Sequence, residues 1–199
     1  MAADATSEPG ALGIEDTARL VGAYVWAEHR LFTVLGDFAG AEPEAAAALF
    51  FDSRAQHHAW HASLLAEKLP HRGGLDHEAL PASPSSGASA LFDALADATG
   101  AVSRLAGLAR VVLPRLVAGY RAHLERAAPV ADAPLIRALR LVVHDELDAL
   151  VDAELLLERL AATDPGALAA AVSGLAKLEA GLEGVGPGIV TWPGGARPG

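Results

Sequence analysis

The stretch Pro70-His-Arg-Gly-Gly-Leu-Asp-His-Glu-Ala-Leu-Pro-Ala-Ser-Pro-Ser-Ser-Gly87 decides how this chain folds. Three prolines and the Gly73-Gly74 pair break any helical pattern, and the segment is long for a connection inside a compact domain. Long helical patterns stand on both sides of it. Before it, one helix is expected from about Glu15 to Phe38, its acidic start suiting the helix dipole. A tight turn follows at Gly40-Ala41-Glu42-Pro43, with Pro43 suited to the first turn of a second helix that ends at Leu69, before Pro70. After it come a short helix, Ser89 to Thr99, and a longer one, about Ala101 to Ala127, that Pro114 is expected to kink. Pro129 to Ala133 forms a second turn, with Asp132 as N-cap of a helix over about Ala133–Ala161. Asp164-Pro165 opens a shorter last helix to about Leu182. Apart from a possible scrap at Ile189–Thr191, no stretch has a strand period. Two hairpins of similar length joined by a crossover predict an all-α four-helix bundle with one long connection and a short fifth helix.

Composition narrows the classes. The chain has 199 residues, 52% hydrophobic but only 5% aromatic, so its core must be built from closely approaching Ala, Leu and Val helices. The length suits one domain: a flexible arm over 1–14, a bundle over 15–183, and a Gly/Pro-rich tail over 184–199. That tail is expected either to stay unpacked or to lie on the bundle through Ile189, Val190 and Trp192. With no cysteine there is no disulfide, thiolate metal site or Cys nucleophile. A net charge of −10 argues against a nucleic-acid partner. No uninterrupted apolar run reaches the roughly 18 residues of a membrane span. Met1–Asp16 lacks a basic flank and an apolar core, so a soluble cytoplasmic protein is expected.

Chemistry concentrates in a few polar residues on apolar faces. On the first helix, Val21, Val25, Glu28, Phe32 and Leu35 share a stripe, which places an acid among hydrophobes. On the second, Phe51, Ala55, His58, Ala62, Leu65 and Leu69 share a stripe, and His58 alone is polar. His61 lies one turn on from His58, and Ala48, Ala55, Ala59, Ala62 and Ala66 allow close helix approach. Tyr120 and His123 sit near the apolar side of the third long helix. On the fourth, Ile136, Leu139, Val143, Leu147 and Leu150 form the stripe, and His144, Asp145, Glu146, Asp148 and Asp152 crowd its middle. Each residue also has a plain structural reading. Glu28 pairs with Arg54, His58 bonds to Tyr24 or Tyr120, and the acidic run is a solvated face. His57, His71 and His77 read as surface or loop residues.

Hairpins, crossover and the placement of Glu28, His58, His61 and His144 resemble the ferritin-like superfamily over about residues 15–182. Leu20-Val21-Gly22-Ala23-Tyr24 beside Leu116-Val117-Ala118-Gly119-Tyr120 is a weak echo of two related halves. The resemblance implies a mid-bundle metal site with a Glu from each of two helices and a Glu-x-x-His from each of the other two. Glu28 matches the first Glu. His61 matches a motif His, with His58 in the place of its Glu. His123 or Glu125 could stand for the third-helix Glu. Asp145-Glu146 resembles the start of the last motif, whose His position holds Ala149.

Counting about 1.5 Å of rise per residue from the hairpin ends puts His58, His61, His144, Tyr24, Tyr120 and Glu146 near one depth, provided the connection crosses the bundle. Glu28 falls about a turn away, level with Arg54. The resulting expectation is a ferritin-like, metal-dependent oxidoreductase acting on a small molecule. Glu28, His58, His61, His123, His144 and Glu146 are candidate ligands, and Tyr24 and Tyr120 candidate catalytic proton donors. Iron is the first choice, another transition metal the second, and no metal the third. The alternatives are a metal-free acid–base catalyst in the same pocket and a non-catalytic module that dimerises.

Overall fold

The computed structural model of the chain describes residues 12–71, 73–180, 182 and 188–190. Its helices are α1 (Ile14–Ala41), α2 (Ala45–Ala66), α3 (Ser86–Ala96), α4 (Ala101–Gly107), a π-helical turn (Leu108–Val112), α5 (Leu113–Arg126), α6 (Ala133–Ala161) and α7 (Pro165–Ala180). There is no strand among the described residues, and Ile189 and Val190 form part of a bend. The fold is all-α. No helix among the described residues is long and apolar enough to cross a membrane. The arm over 1–11, Thr191 and Trp192 lie outside the described residues.

Local chemistry sets most boundaries. Pro43 stays outside α2, because Glu44 caps it by accepting from the Ala47 N–H at 2.7 Å. Ser85 caps α3 in the same way at 3.0 Å, so this helix starts three residues before Ser89. Asp164 caps α7, accepting from the Ala167 N–H at 2.9 Å. Asp132 departs from expectation. It precedes α6, but its carboxylate accepts from the Ala128 N–H at 2.8 Å and closes the turn instead of capping the helix. Pro114 does more than kink its helix. It has no N–H to offer the Arg110 carbonyl, and the ladder widens to a π-turn just before it, with the Leu113 N–H donating to Leu108.

Residue pairings between helices fix their directions. His61–Asp145 and Arg54–Asp152 run α2 against α6, and Tyr24–His123 and Glu28–Tyr120 run α1 against α5. Arg104, at the start of α4, reaches Glu42 at the end of α1 at 2.8 Å. The α4–α5 segment therefore runs the same way as α2, and residues 67–100 travel back along the whole length between them. Their carbonyl at Leu80 packs on Gly22 so closely that a Cβ there would lie 2.2 Å from the oxygen.

The core follows the predicted α2 stripe completely, with Phe51, Ala55, His58, Ala62, Leu65 and Leu69 all buried. On α1 the stripe is buried at Val21, Val25, Glu28 and Leu35, and only Phe32 is exposed. On α6, the buried line is Leu135, Ala138, Leu139, Val142, Val143, Glu146, Ala149, Ala153 and Leu157, which leaves Leu147 and Leu150 half-buried. On α7, Ala171 and Leu178 face inward, and Leu168 and Val172 face out. Ile189 and Val190 are buried, and Gly188 sits against Gly119, so this part of the tail lies on the bundle.

Candidate metal centre

Four side chains from three helices meet in the core. Glu28 comes from α1, His58 and His61 from one face of α2, and Glu146 from α6, each 0–2% exposed. One ligand atom from each lies within 4.8 Å of all the others. Glu28 Oε2 is 2.6 Å from His58 Nδ1 and 3.5 Å from His61 Nδ1. Glu146 Oε1 is 3.3 Å from His58 Nδ1 and 3.2 Å from His61 Nδ1. Donors about 2.0–2.1 Å from a tetrahedral ion stand roughly 3.3 Å apart; three of these separations match that, and the 2.6 Å Glu28–His58 contact is a hydrogen bond that an ion would replace.

The donor chemistry fits as well. Both imidazoles turn Nδ1 inward. His61 holds Nε2 3.1 Å from the Asp145 carboxylate, a partner that orients the ring so that Nδ1, once it loses its proton, points its lone pair into the cluster. The Tyr120 hydroxyl donates to Glu28 Oε1, so Glu28 presents Oε2. Three atoms of the cluster, His61 Nδ1 and both Glu146 oxygens, are buried with no hydrogen-bond partner. Buried polar atoms are rarely left so, and a bound cation would satisfy all three. Two carboxylates and two neutral imidazoles carry two negative charges, which a divalent ion neutralises. Imidazole nitrogens favour zinc, iron, copper or nickel over calcium and magnesium.

Charge coupling is strong in the metal-free site. Burial opposes ionisation of Glu28, but the imidazoles of His58 and His61 outweigh it and hold the carboxyl down at about 2. Burial likewise opposes a charged His61, but Glu146 and Glu28 hold its pKa up at about 10. His58 is raised too, with burial overcome by Glu146 and then Glu28. Burial pushes both tyrosines up, so they remain phenols and hydrogen-bond donors.

Several expected partnerships are replaced. Arg54 pairs with Asp152 at 2.6 Å, and Glu28 pairs with His58 one turn further along α2. The cause is the first hairpin: α1 continues to Ala41 and α2 begins at Ala45, which moves the turn towards the C-terminus and slides the register. His144 lies apart from the cluster. Its side chain is 73% exposed, and it faces Asp148 at 3.8 Å on the outer side of α6. His123 is buried but stands outside the four-residue set, with Nδ1 3.0 Å from the Tyr24 hydroxyl. Tyr24 and Tyr120 pack edge to face with centroids 4.9 Å apart, and Tyr120 alone of the two bonds to a cluster carboxylate. Sequence reasoning missed Asp145 as a partner of His61, placing it among solvated acids. Its position beside Glu146, one helical step off the buried line, was the available signal. Comparison with protein-family models, with characterised proteins and with solved structures finds no match to this chain.

Proposed function

We propose that this chain is a ferritin-like bundle whose function is to hold one divalent transition-metal ion on Glu28, His58, His61 and Glu146. The observation that carries the reading is the convergence of four buried ligand atoms, with His61 Nδ1 and both Glu146 oxygens making no well-formed hydrogen bond. The direction of the helices supports the architecture, since a full-length return between the second and third long helices is the single crossover of ferritin-like bundles. Relative to the dinuclear pattern, His58 replaces a Glu, Ala149 stands at a His position, and Tyr120 occupies the third-helix side of Glu28. Those changes remove ligands from a second ion and leave those for one.

An iron oxidoreductase acting on a small molecule is the catalytic form of this reading. It is supported by the small number of protein donors, four side chains, which leaves room on the ion for a small molecule. Bound iron would supply one-electron chemistry. Tyr120 would orient Glu28, Asp145 would orient His61, and the Leu and Ala shell would exclude bulk water.

The test is elemental analysis after loading with Fe(II), Mn(II), Co(II) or Zn(II) and removal of free ion. One ion per chain is expected, lost in the His58→Ala/His61→Ala double variant. Wild-type protein that retains no more metal than the double variant overturns the proposal and leaves a hydrogen-bonded core network.

A further inference from the structure

The two carboxylates of the cluster are not equivalent. Glu28 has one oxygen, Oε1, taken by the Tyr120 hydroxyl, and the other, Oε2, aimed at the imidazoles. Glu146 has both oxygens buried and neither hydrogen-bonded. Both Glu146 oxygens are therefore open to an ion, whereas Glu28 Oε1 already has one of its lone pairs engaged by the phenol. Tyr120 is itself held, fully buried and packed edge to face against Tyr24, whose own hydroxyl is tied to His123. The phenol is thus anchored from behind as well as bonded in front.

We propose that Tyr120 is a positioning residue that restricts Glu28 to a single ligand oxygen, and so holds the ion at four or five protein donors and sets which metal the site prefers. The proposal rests on the metal-binding reading above. Low coordination numbers with two imidazoles favour zinc and cobalt, whereas manganese is drawn to six donors rich in oxygen. Releasing Glu28 Oε1 adds an oxygen donor. It also removes the one hydrogen bond that keeps that oxygen from a second ion.

The probe is Co(II), whose visible bands are intense at four- or five-coordinate sites and weak at six-coordinate ones. Wild-type protein loaded with Co(II) is expected to show the intense bands, and X-ray absorption of the Zn(II) form a shell of four or five nitrogen and oxygen donors. Tyr120→Phe keeps the ring and removes the hydroxyl. It should weaken the cobalt bands several-fold and lower the preference for Zn(II) over Mn(II) by about tenfold or more, comparable to the loss of an outer partner at other metal sites. A six-donor wild-type shell overturns the inference without needing the variant. So does a folded Tyr120→Phe protein with an unchanged cobalt spectrum and unchanged selectivity. If wild-type protein binds Fe(II) or Mn(II) but neither Co(II) nor Zn(II), this inference fails alone; if it retains none of the four, the metal-binding reading fails and this inference with it.

Discussion

His61 and Asp145 join α2 to α6 through a 3.1 Å contact between Nε2 and a carboxylate oxygen, with the inner nitrogen of the same ring turned to the buried acids. His61 is almost wholly buried, whereas the Asp145 side chain is a quarter exposed. The pair is therefore the point at which the closed cluster meets the surface. Neutralising Asp145 should loosen the ring without emptying the core. Asp145→Asn is expected to lower metal affinity by about 10–100-fold with the helical signal retained. Competition with a chromophoric chelator measures it, and unchanged affinity would remove Asp145 from the site.

Removing an inner ligand should do more. His58→Ala leaves Glu28 and Glu146 buried with one imidazole between them, and a broken buried pair costs about 3–5 kcal/mol. His144→Ala, on the solvent side of α6, should change neither stability nor metal content. Denaturant titration and metal analysis of both variants check the contrast. Metal lost from His144→Ala would return that residue to the site.

From this cluster alone, metal-free protein should be most stable between about pH 4.5 and 6.5, limited on both sides. Glu28 is held at about 2 against an ordinary 4.5, so its contribution is present above 4.5 and is lost as pH falls through 2. His61 is held at about 10 against 6.5, so its contribution is full below 6.5 and is lost as pH rises through 10. Loading a divalent ion expels the imidazole protons, so metal uptake should release acid and weaken as pH falls. Thermal melts across pH, with and without metal, read both limbs. An alkaline limb that persists unchanged in His61→Ala would contradict the assignment.

Metal should also act as a stabiliser. An ion present at ~100 times its Kd adds about 2.7 kcal/mol if it binds only the folded chain. The melting temperature should rise on loading and fall back on chelation. A melt indifferent to both, in protein shown to carry metal, would place the ion elsewhere on the chain.

Gly22 should tolerate no side chain. Its Cβ would lie 2.2 Å from the Leu80 carbonyl oxygen, which belongs to backbone and has no rotamer to yield. Gly22→Ala should cost about 1–3 kcal/mol by pushing the crossover segment off α1. Equal stability of the two proteins would mean that the segment sits there loosely.

Much of this was legible in the chain. Helix ends were marked by Pro70 and Asp164, and the α2 stripe placed His58 correctly in the core. Glu28 announced itself as an acid among hydrophobes. Prediction failed where two apolar faces of similar strength competed. On α6, Leu147 and Glu146 are neighbours, and a rotation of one residue exchanges them. It failed too where a turn residue moved the register, as at Ala41–Ala45, which carried Glu28 from Arg54 to His58.

By itself the sequence determined the helices, the long connection between the two hairpins, and the stock of imidazole and carboxylate donors, because helical period, prolines and caps act within a few residues. Only the tertiary structure decided that Glu146 joins Glu28, His58 and His61, that His144 faces outward, and that Tyr120 and Asp145 bond to members of this cluster. Those choices depend on how each helix is rotated about its axis and slid along its neighbour. Side-chain packing across the whole core sets both, and no local pattern encodes them.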